Sequence, residues 1–149
     1  MKKLILSALL CVMALSASAQ NFIDLGLPSK TKWATTNVES YFTYEQAVYK
    51  FGNELPTIEH WEELSDYCEW TWTGRGYKVV GPNGRSIFLP AAGWYFDGNL
   101  QHNGRAGAYC SSDRQDANWA MSMYLNEESH GTGGCSLNYG QSVRLVSTY

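Results

Sequence analysis

The stretch from Cys68 to Gly93, CEWTWTGRGYKVVGPNGRSIFLPAAG, constrains the fold more than any other part of the chain. Trp70 and Trp72 stand two residues apart and share one face of an extended chain. Tyr77-Lys78-Val79-Val80 and Arg85-Ser86-Ile87-Phe88-Leu89 flank Gly81-Pro82-Asn83-Gly84. Proline at the first central position, then asparagine, then glycine fits a type I turn closed by a glycine bulge. The block therefore reads as a β-hairpin on an aromatic base. It holds no cluster of groups able to do chemistry. The middle of the chain is scaffold, and function falls to what that scaffold displays.

Two helices precede the hairpin. Thr43 is an N-cap with Gln46 three residues on, the capping-box spacing. Tyr44, Ala47, Val48 and Phe51 follow the i, i+3, i+4, i+7 rule and predict one buried face, ending at Gly52. Leu55-Pro56-Thr57 opens the second helix with Thr57 as N-cap. Ile58, Trp61, Leu64 and Cys68 line its apolar face, and Glu59, Glu62, Glu63 and Asp66 the other. That acidic run reads as a solvated helix face, its first members favoured near the N-terminus by the helix dipole. The helices are expected to pack through Phe51, Trp61 and Leu64 on the hairpin Tyr77–Leu89.

Short strands are expected at Ile23–Pro28 and Lys32–Val38. From Trp70 onward only strands are expected, the later ones near Tyr109–Ser112, Trp119–Leu125, Cys135–Asn138 and Ser142–Val146. Between them Asp97–Gly107, Asp113–Asn118 and Asn126–Gly134 are rich in Gly, Asn, Asp and Ser and read as loops. The fold class that follows is α+β: two helices packed on a twisted antiparallel sheet with long loops.

Residues 1–19 read as a signal peptide. Lys2 and Lys3 are a basic start, Leu4 to Leu15 an apolar run too short to span a bilayer, and Ala17-Ser18-Ala19 a small-x-small cleavage pattern. Residues 20–149 then form a single exported domain, in the periplasm, on the outer surface or secreted. Of 11 basic residues, Lys2 and Lys3 fall in the leader, leaving nine against 14 acidic ones. With no Lys/Arg run, nothing offers counterion release to a nucleic acid, and no second apolar stretch could span a membrane.

An exported chain meets an oxidising compartment, so cysteines are first read as disulfides. Three follow the leader: Cys68, Cys110 and Cys135. Cys110 with Cys135 is the expected pair, because both lie in the β-rich half. Cys68 closes an amphipathic helix and reads as a buried small hydrophobe.

Catalytic patterns are missing. His60, His102 and His130 are scattered, and no Gly-x-Ser-x-Gly elbow exists. His102, Cys110, His130 and Cys135 have zinc-ligand chemistry but no short-range metal spacing. No catalytic residue, metal site or cofactor is expected. What remains is an aromatic and amide-rich surface: Trp94, Tyr95, Phe96, Asp97 and Asn99; Arg114, Asp116, Asn118 and Trp119; Asn138 and Tyr139. Aromatics give contact area at low entropic cost and amides give adaptable hydrogen bonds. The expected function is a non-catalytic module that binds a glycan or protein ligand through these loops. The alternatives are a structural subunit of a surface assembly and a small cysteine-dependent periplasmic enzyme.

A resemblance supports the fold. Asp24-Leu25-Gly26-Leu27-Pro28-Ser29 followed by Lys32-Trp33-Ala34-Thr35 resembles the opening of the Fibrobacter succinogenes major paralogous domain. The similarity runs on through Leu55-Pro56-Thr57, Trp61-Glu62-Glu63-Leu64, Gly76-Tyr77-Lys78-Val79, Gly81-Pro82-Asn83-Gly84 and Ser86-Ile87-Phe88-Leu89-Pro90-Ala91-Ala92-Gly93 to Gly140-Gln141-Ser142-Val143-Arg144. The resemblance implies a C-type-lectin-like fold and an exported display or adhesion scaffold. Two departures stand out. Val38 to Thr43 is short where the family often has an insertion, and Tyr109-Cys110-Ser111-Ser112 carries Cys where the family often has Trp. A Cys110–Cys135 disulfide in place of aromatic packing would fit that exchange. The calcium-dependent sugar loop of C-type lectins has no counterpart: Pro82-Asn83 lies in a hairpin turn, and Trp119 is followed by Ala120.

Overall fold

A computed structural model describes residues 20–149. The expected signal peptide lies outside the described residues. Helix α1 spans Tyr44–Phe51 and α2 spans Ile58–Tyr67. Both begin with a reciprocal capping box. Thr43 Oγ1 accepts from Gln46 N at 3.3 Å, and Gln46 Oε1 accepts from Thr43 N at 3.0 Å. In α2, Thr57 Oγ1 accepts from His60 N at 3.1 Å and His60 Nδ1 accepts from Thr57 N at 3.0 Å. An imidazole thus does what Glu or Gln usually does at this position. α1 buries Tyr44 and Ala47, and α2 buries Trp61 and Leu64. Val48, expected on the buried face, is exposed, because it stands at the rim of the apolar arc.

The strands are β1 (Phe22–Asp24), β2 (Lys32–Ala34), β3 (Glu69–Trp72), β4 (Gly76–Val80), β5 (Ser86–Pro90), β6 (Trp94–Phe96), β7 (Asn99–Gln101), β8 (Ala106–Arg114), β9 (Trp119–Asn126), β10 (His130–Ser136) and β11 (Val146–Ser147). They form four small antiparallel sheets, ordered β1-β2-β11, β3-β4-β5, β6-β7 and β10-β9-β8. The class is α+β. The β4–β5 hairpin is as expected: Gly81 N donates to Arg85 O at 2.8 Å, Gly84 N donates to Gly81 O at 2.9 Å, and Gly84 takes φ 83°. The turn also docks on the β1–β2 connection. Asn83 Nδ2 donates to Asp24 O at 2.8 Å, and a Cβ on Gly81 would overlap Leu25 O. The Gly-Pro-Asn-Gly run therefore has a tertiary reason besides a local one.

Strands differ from expectation where glycine is dense. His130 to Gly134 reads as loop, yet β10 runs in register from His130↔Leu125 to Ser136↔Trp119. Three glycines lower intrinsic strand preference, but pairing with β9 decides. β8 is likewise longer than expected, and Val146–Ser147 is all that forms of the last strand.

One core joins Trp33, Trp61, Leu64, Tyr77, Val79, Leu89, Tyr109, Met123 and Leu125. Trp61 and Leu64 therefore share a core with the central hairpin, as expected. Phe51 does not. It sits against Phe42, 5.1 Å between ring centres, beside a second core of Ala34, Ala47, Leu55, Cys110, Val143 and Leu145.

The expected Cys110–Cys135 disulfide is not present; Cys68, Cys110 and Cys135 are all free. Cys110 lies on β8 and Cys135 on β10, with β9 between them. Cys110 opposes Ser122, whose β10 partner is Gly133, so Cys135 is also two residues further along. Two strand spacings put the backbones about 9.5 Å apart, beyond the roughly 7 Å limit for a bridge. The Cys110 thiol instead donates to Phe42 O at 3.6 Å.

Arg144 is 1 % exposed and unites distant segments. Nε donates to Asn37 Oδ1 at 2.8 Å, Nη1 to Ala34 O at 3.0 Å and Nη2 to Phe88 O. Asn37 Nδ2 donates to the Tyr109 hydroxyl at 3.1 Å, which donates to Pro90 O at 2.7 Å. The outer edge of β5 is thus closed by side chains. Burial among neutral partners lowers the guanidinium pKa to about 10, and burial raises Tyr109 to about 12.

Candidate aromatic binding pocket

The β6–β7 hairpin turns through Asp97 and Gly98, at φ 50° and 75°. Positive φ at both central residues is what a two-residue type I′ turn requires, and Asp-Gly supplies it. Trp94 and Tyr95 are therefore strand residues, not loop residues as expected. The hairpin is pinned to the segment after β10: Tyr95 N donates to Gly140 O at 2.8 Å and Gly140 N to Tyr95 O at 2.9 Å.

Pinning the hairpin there builds a pocket of about 210 Å³, lined by Trp94, Ala108, Trp119, Tyr124, Gly134, Cys135, Ser136 and Tyr139. Three expected site residues, Trp94, Trp119 and Tyr139, come from segments far apart in sequence and meet here. Trp119 is 46 % exposed, and Trp94 and Tyr139 are half-buried. Trp94 leans on His102 at 4.8 Å and meets Tyr124 edge-on at 6.3 Å. Phe96 stacks on Tyr139 at 4.8 Å. The floor is open because Ala108 and Cys135 are small. No charged side chain lines the pocket.

The other expected residues lie elsewhere. Tyr95 faces away, edge-on to Tyr41 at 4.8 Å, in a separate open groove with Glu39, Ser40, Thr43, Gln46 and Gly140. Asp97 and Asn99 shape the hairpin turn, with Asn99 Nδ2 donating to Asp97 O at 3.2 Å. Arg114 points to α1: it pairs with Glu45 at 3.6 Å and covers the Tyr44 ring. Asp116 Oδ1 accepts from Asn118 N at 2.8 Å and Trp119 N at 3.0 Å, fixing the turn that presents Trp119. Asn118 and Asn138 are exposed turn residues outside the pocket.

Sequence reasoning missed Ala108, Tyr124, Gly134, Cys135 and Ser136 as lining residues. The alternation of β9 carried a signal for one of them. Tyr124 shares a face with Ala120 and Ser122, opposite the buried Met123 and Leu125, so a large ring stands above small neighbours.

The three thiols are held protonated. Burial pushes Cys68 up to about 11. Burial also raises Cys110, and raises Cys135 despite the Tyr124 and Ser122 hydroxyls nearby. His130 lies away from the pocket, stacked on Trp70 at 3.8 Å, its Nδ1 3.4 Å from Ser65 Oγ. Burial lowers its pKa. Among the described residues no three His, Cys, Asp or Glu side chains converge as a metal site would require. No described helix is long and apolar enough to cross a membrane.

No family model matches this chain, and no curated protein or solved structure matches it.

Proposed function

We propose that this chain is an exported, non-catalytic binding module of C-type-lectin-like fold, akin to the Fibrobacter succinogenes major paralogous domain, that recognises a glycan or protein ligand at the cell surface. The observation that carries the reading is the meeting of Trp94, Trp119 and Tyr139 around one uncharged pocket. Exposed aromatic rings around a concavity are expensive to leave in water and are the residues that dominate binding energetics. The hairpin presenting Trp94 is held by its own turn and by Gly140, so little order is lost on binding. Thiols kept protonated by burial speak for a binding role over cysteine-dependent chemistry.

The test is a glycan and protein array probed with the wild type beside a Trp94→Ala/Trp119→Ala double variant. Binding that the double variant loses supports the reading. Binding that survives the change moves the site off this pocket.

A further inference from the structure

We propose that the open edge of β10 and the pocket beside it form one site for an extended, uncharged polypeptide segment of a partner protein. The segment adds as a fourth strand to β8-β9-β10 and places an apolar side chain between Trp94, Trp119 and Tyr139. This inference rests on the pocket reading above and narrows its ligand from glycan or protein to peptide.

Ladder parity defines the edge. Among the described residues β10 pairs with β9 on one side only. Cys110 N donates to Ser142 O and Ser142 N to Ala108 O, each at 2.9 Å, so Ala108 and Cys110 turn their backbone groups away from β9. Antiparallel ladders alternate, so Gly107 and Tyr109 bond to Leu125 and Met123. Tyr124 and Ser122 of β9 then bond to Gly131 and Gly133 of β10. The bond from Asn126 N to Ser129 O, 2.9 Å, fits the same alternation. The backbone groups of His130, Thr132 and Gly134 therefore face outward. Tyr124 Oη donates to Gly134 O at 2.9 Å. The Thr132 N–H and C=O and the Gly134 N–H have no protein partner among the described residues.

Natural edge strands are protected by lysine, proline, inward charge or a bulge. His130-Gly131-Thr132-Gly133-Gly134-Cys135-Ser136 carries none of these. Glycine weakens a strand and often marks a place where another backbone comes close. Internal packing does not demand it at Gly131 or Gly133, whereas a Cβ on Gly134 would overlap the Gln115 side-chain oxygen. A Cβ on Gly131 would meet nothing within 4 Å, and one on Gly133 only the Tyr124 ring at 3.7 Å.

The occupant follows from what each candidate can supply. Outward donor–acceptor groups recur every second residue, about 7 Å apart, which an extended backbone matches. Strand addition gives affinity through the main chain and specificity through side-chain pockets. Gly134, Cys135 and Ser136 of β10 themselves line the aromatic pocket, so edge and pocket are continuous. A second copy pairing through its own β10 would bring no large apolar side chain to fill that pocket. A segment from another protein can.

The probe is a phage-displayed library of random linear 12-residue peptides, panned on the full chain from residue 20 onward. Thr132→Pro removes one outward N–H and leaves the ladder to β9 intact, a position where edge strands accept proline. Enriched peptides should carry an apolar residue at a fixed place in an uncharged core. Thr132→Pro should weaken them about tenfold, the scale of one lost backbone hydrogen bond that leaves its partner unsatisfied. N-methylation of a selected peptide should abolish binding at alternate amides and spare the amides between, and this series decides the matter if Thr132→Pro unfolds. No enriched peptide, equal affinity for Thr132→Pro, or indifference to every N-methylation overturns the inference. So does a dimer in light scattering that Thr132→Pro dissociates, which would make a second copy the occupant. Glycan binding lost in Trp94→Ala/Trp119→Ala but kept in Thr132→Pro would sink the peptide inference and leave the pocket reading standing. Peptide binding sensitive to Thr132→Pro but not to the double variant would overturn both the pocket reading and the joint site, and leave only strand addition at the β10 edge.

Discussion

Two aromatic clusters of similar composition occupy opposite situations in this molecule. Trp33, Trp61 and Tyr109 stack in the interior, 4.7 Å and 5.4 Å between successive ring centres. Trp94, Trp119, Tyr124 and Tyr139 ring a pocket open to solvent. The inner rings are fully buried, and Trp61 Nε1 donates to Cys110 O at 3.1 Å. The outer rings come from β9, the pinned hairpin and the turn after β10. The inner cluster belongs to the core where three of the sheets and α2 meet. The outer one stands outside that core, where the proposed ligand would meet it. Residue type alone does not separate these roles; the number of elements that converge on each ring does.

The strongest way to break this contrast is Trp61→Ala. Deleting a fully buried tryptophan costs about 3–5 kcal/mol, so chemical denaturation should show a stability loss of that size. A loss under about 1 kcal/mol would mean that the inner cluster does not hold that core together. Arg144→Met comes next. It leaves the Ala34 and Phe88 carbonyls and Asn37 without their donor, and unsatisfied buried groups cost roughly 1–3 kcal/mol. Urea unfolding should detect it, and an unchanged midpoint would show that water replaces the guanidinium freely.

Trp94→Ala/Trp119→Ala sharpens the contrast from the other side. Trp119 is exposed and Trp94 half-buried, so the double variant should lose ligand at a stability cost well below the roughly 3–5 kcal/mol of a fully buried tryptophan. A drop as large as that of Trp61→Ala would place these rings in the core instead.

The smallest effect is a pH effect on α2. Burial lowers the pKa of His60, and its Nδ1 must be unprotonated to accept from Thr57 N. A group whose folded pKa is depressed gives stability that is present above its unfolded value and lost as pH falls through the folded one. Melting temperature should therefore drop as pH falls below the ordinary histidine value of about 6.5. His60→Gln keeps an acceptor without a titrating group and should flatten part of that fall. The remainder belongs to His130, whose pKa burial also lowers. An identical acid limb in His60→Gln would show that the cap does not titrate.

Much of the scaffold was legible because local rules and tertiary contacts agree there. Thr43 with Gln46, Thr57 before an apolar face, and Gly-Pro-Asn-Gly between alternating strands each state their structure within a few residues. The site was half legible. Trp94, Trp119 and Tyr139 stood out by type, but Asp116 and Arg114 proved to be turn and helix contacts that present or flank the rings. Tyr124 showed only in the alternation of β9, and its role depends on which face of that strand meets the hairpin. β10 was hidden by its glycines, whose pairing is dictated by a strand elsewhere in the chain. The cysteine pairing failed for a related reason: nearness within the β-rich half says nothing about the strand that runs between two residues.

The Arg144 clasp has a consequence for how the chain reaches its native state. Its guanidinium meets Ala34 across 110 positions of sequence and Phe88 across 56. Closing loops of that length must be paid in entropy before the contacts repay it, which slows folding. Until the clasp closes, the outer carbonyls of β5 are exposed to any passing strand, and that interval is when newly made copies are most prone to stick to one another.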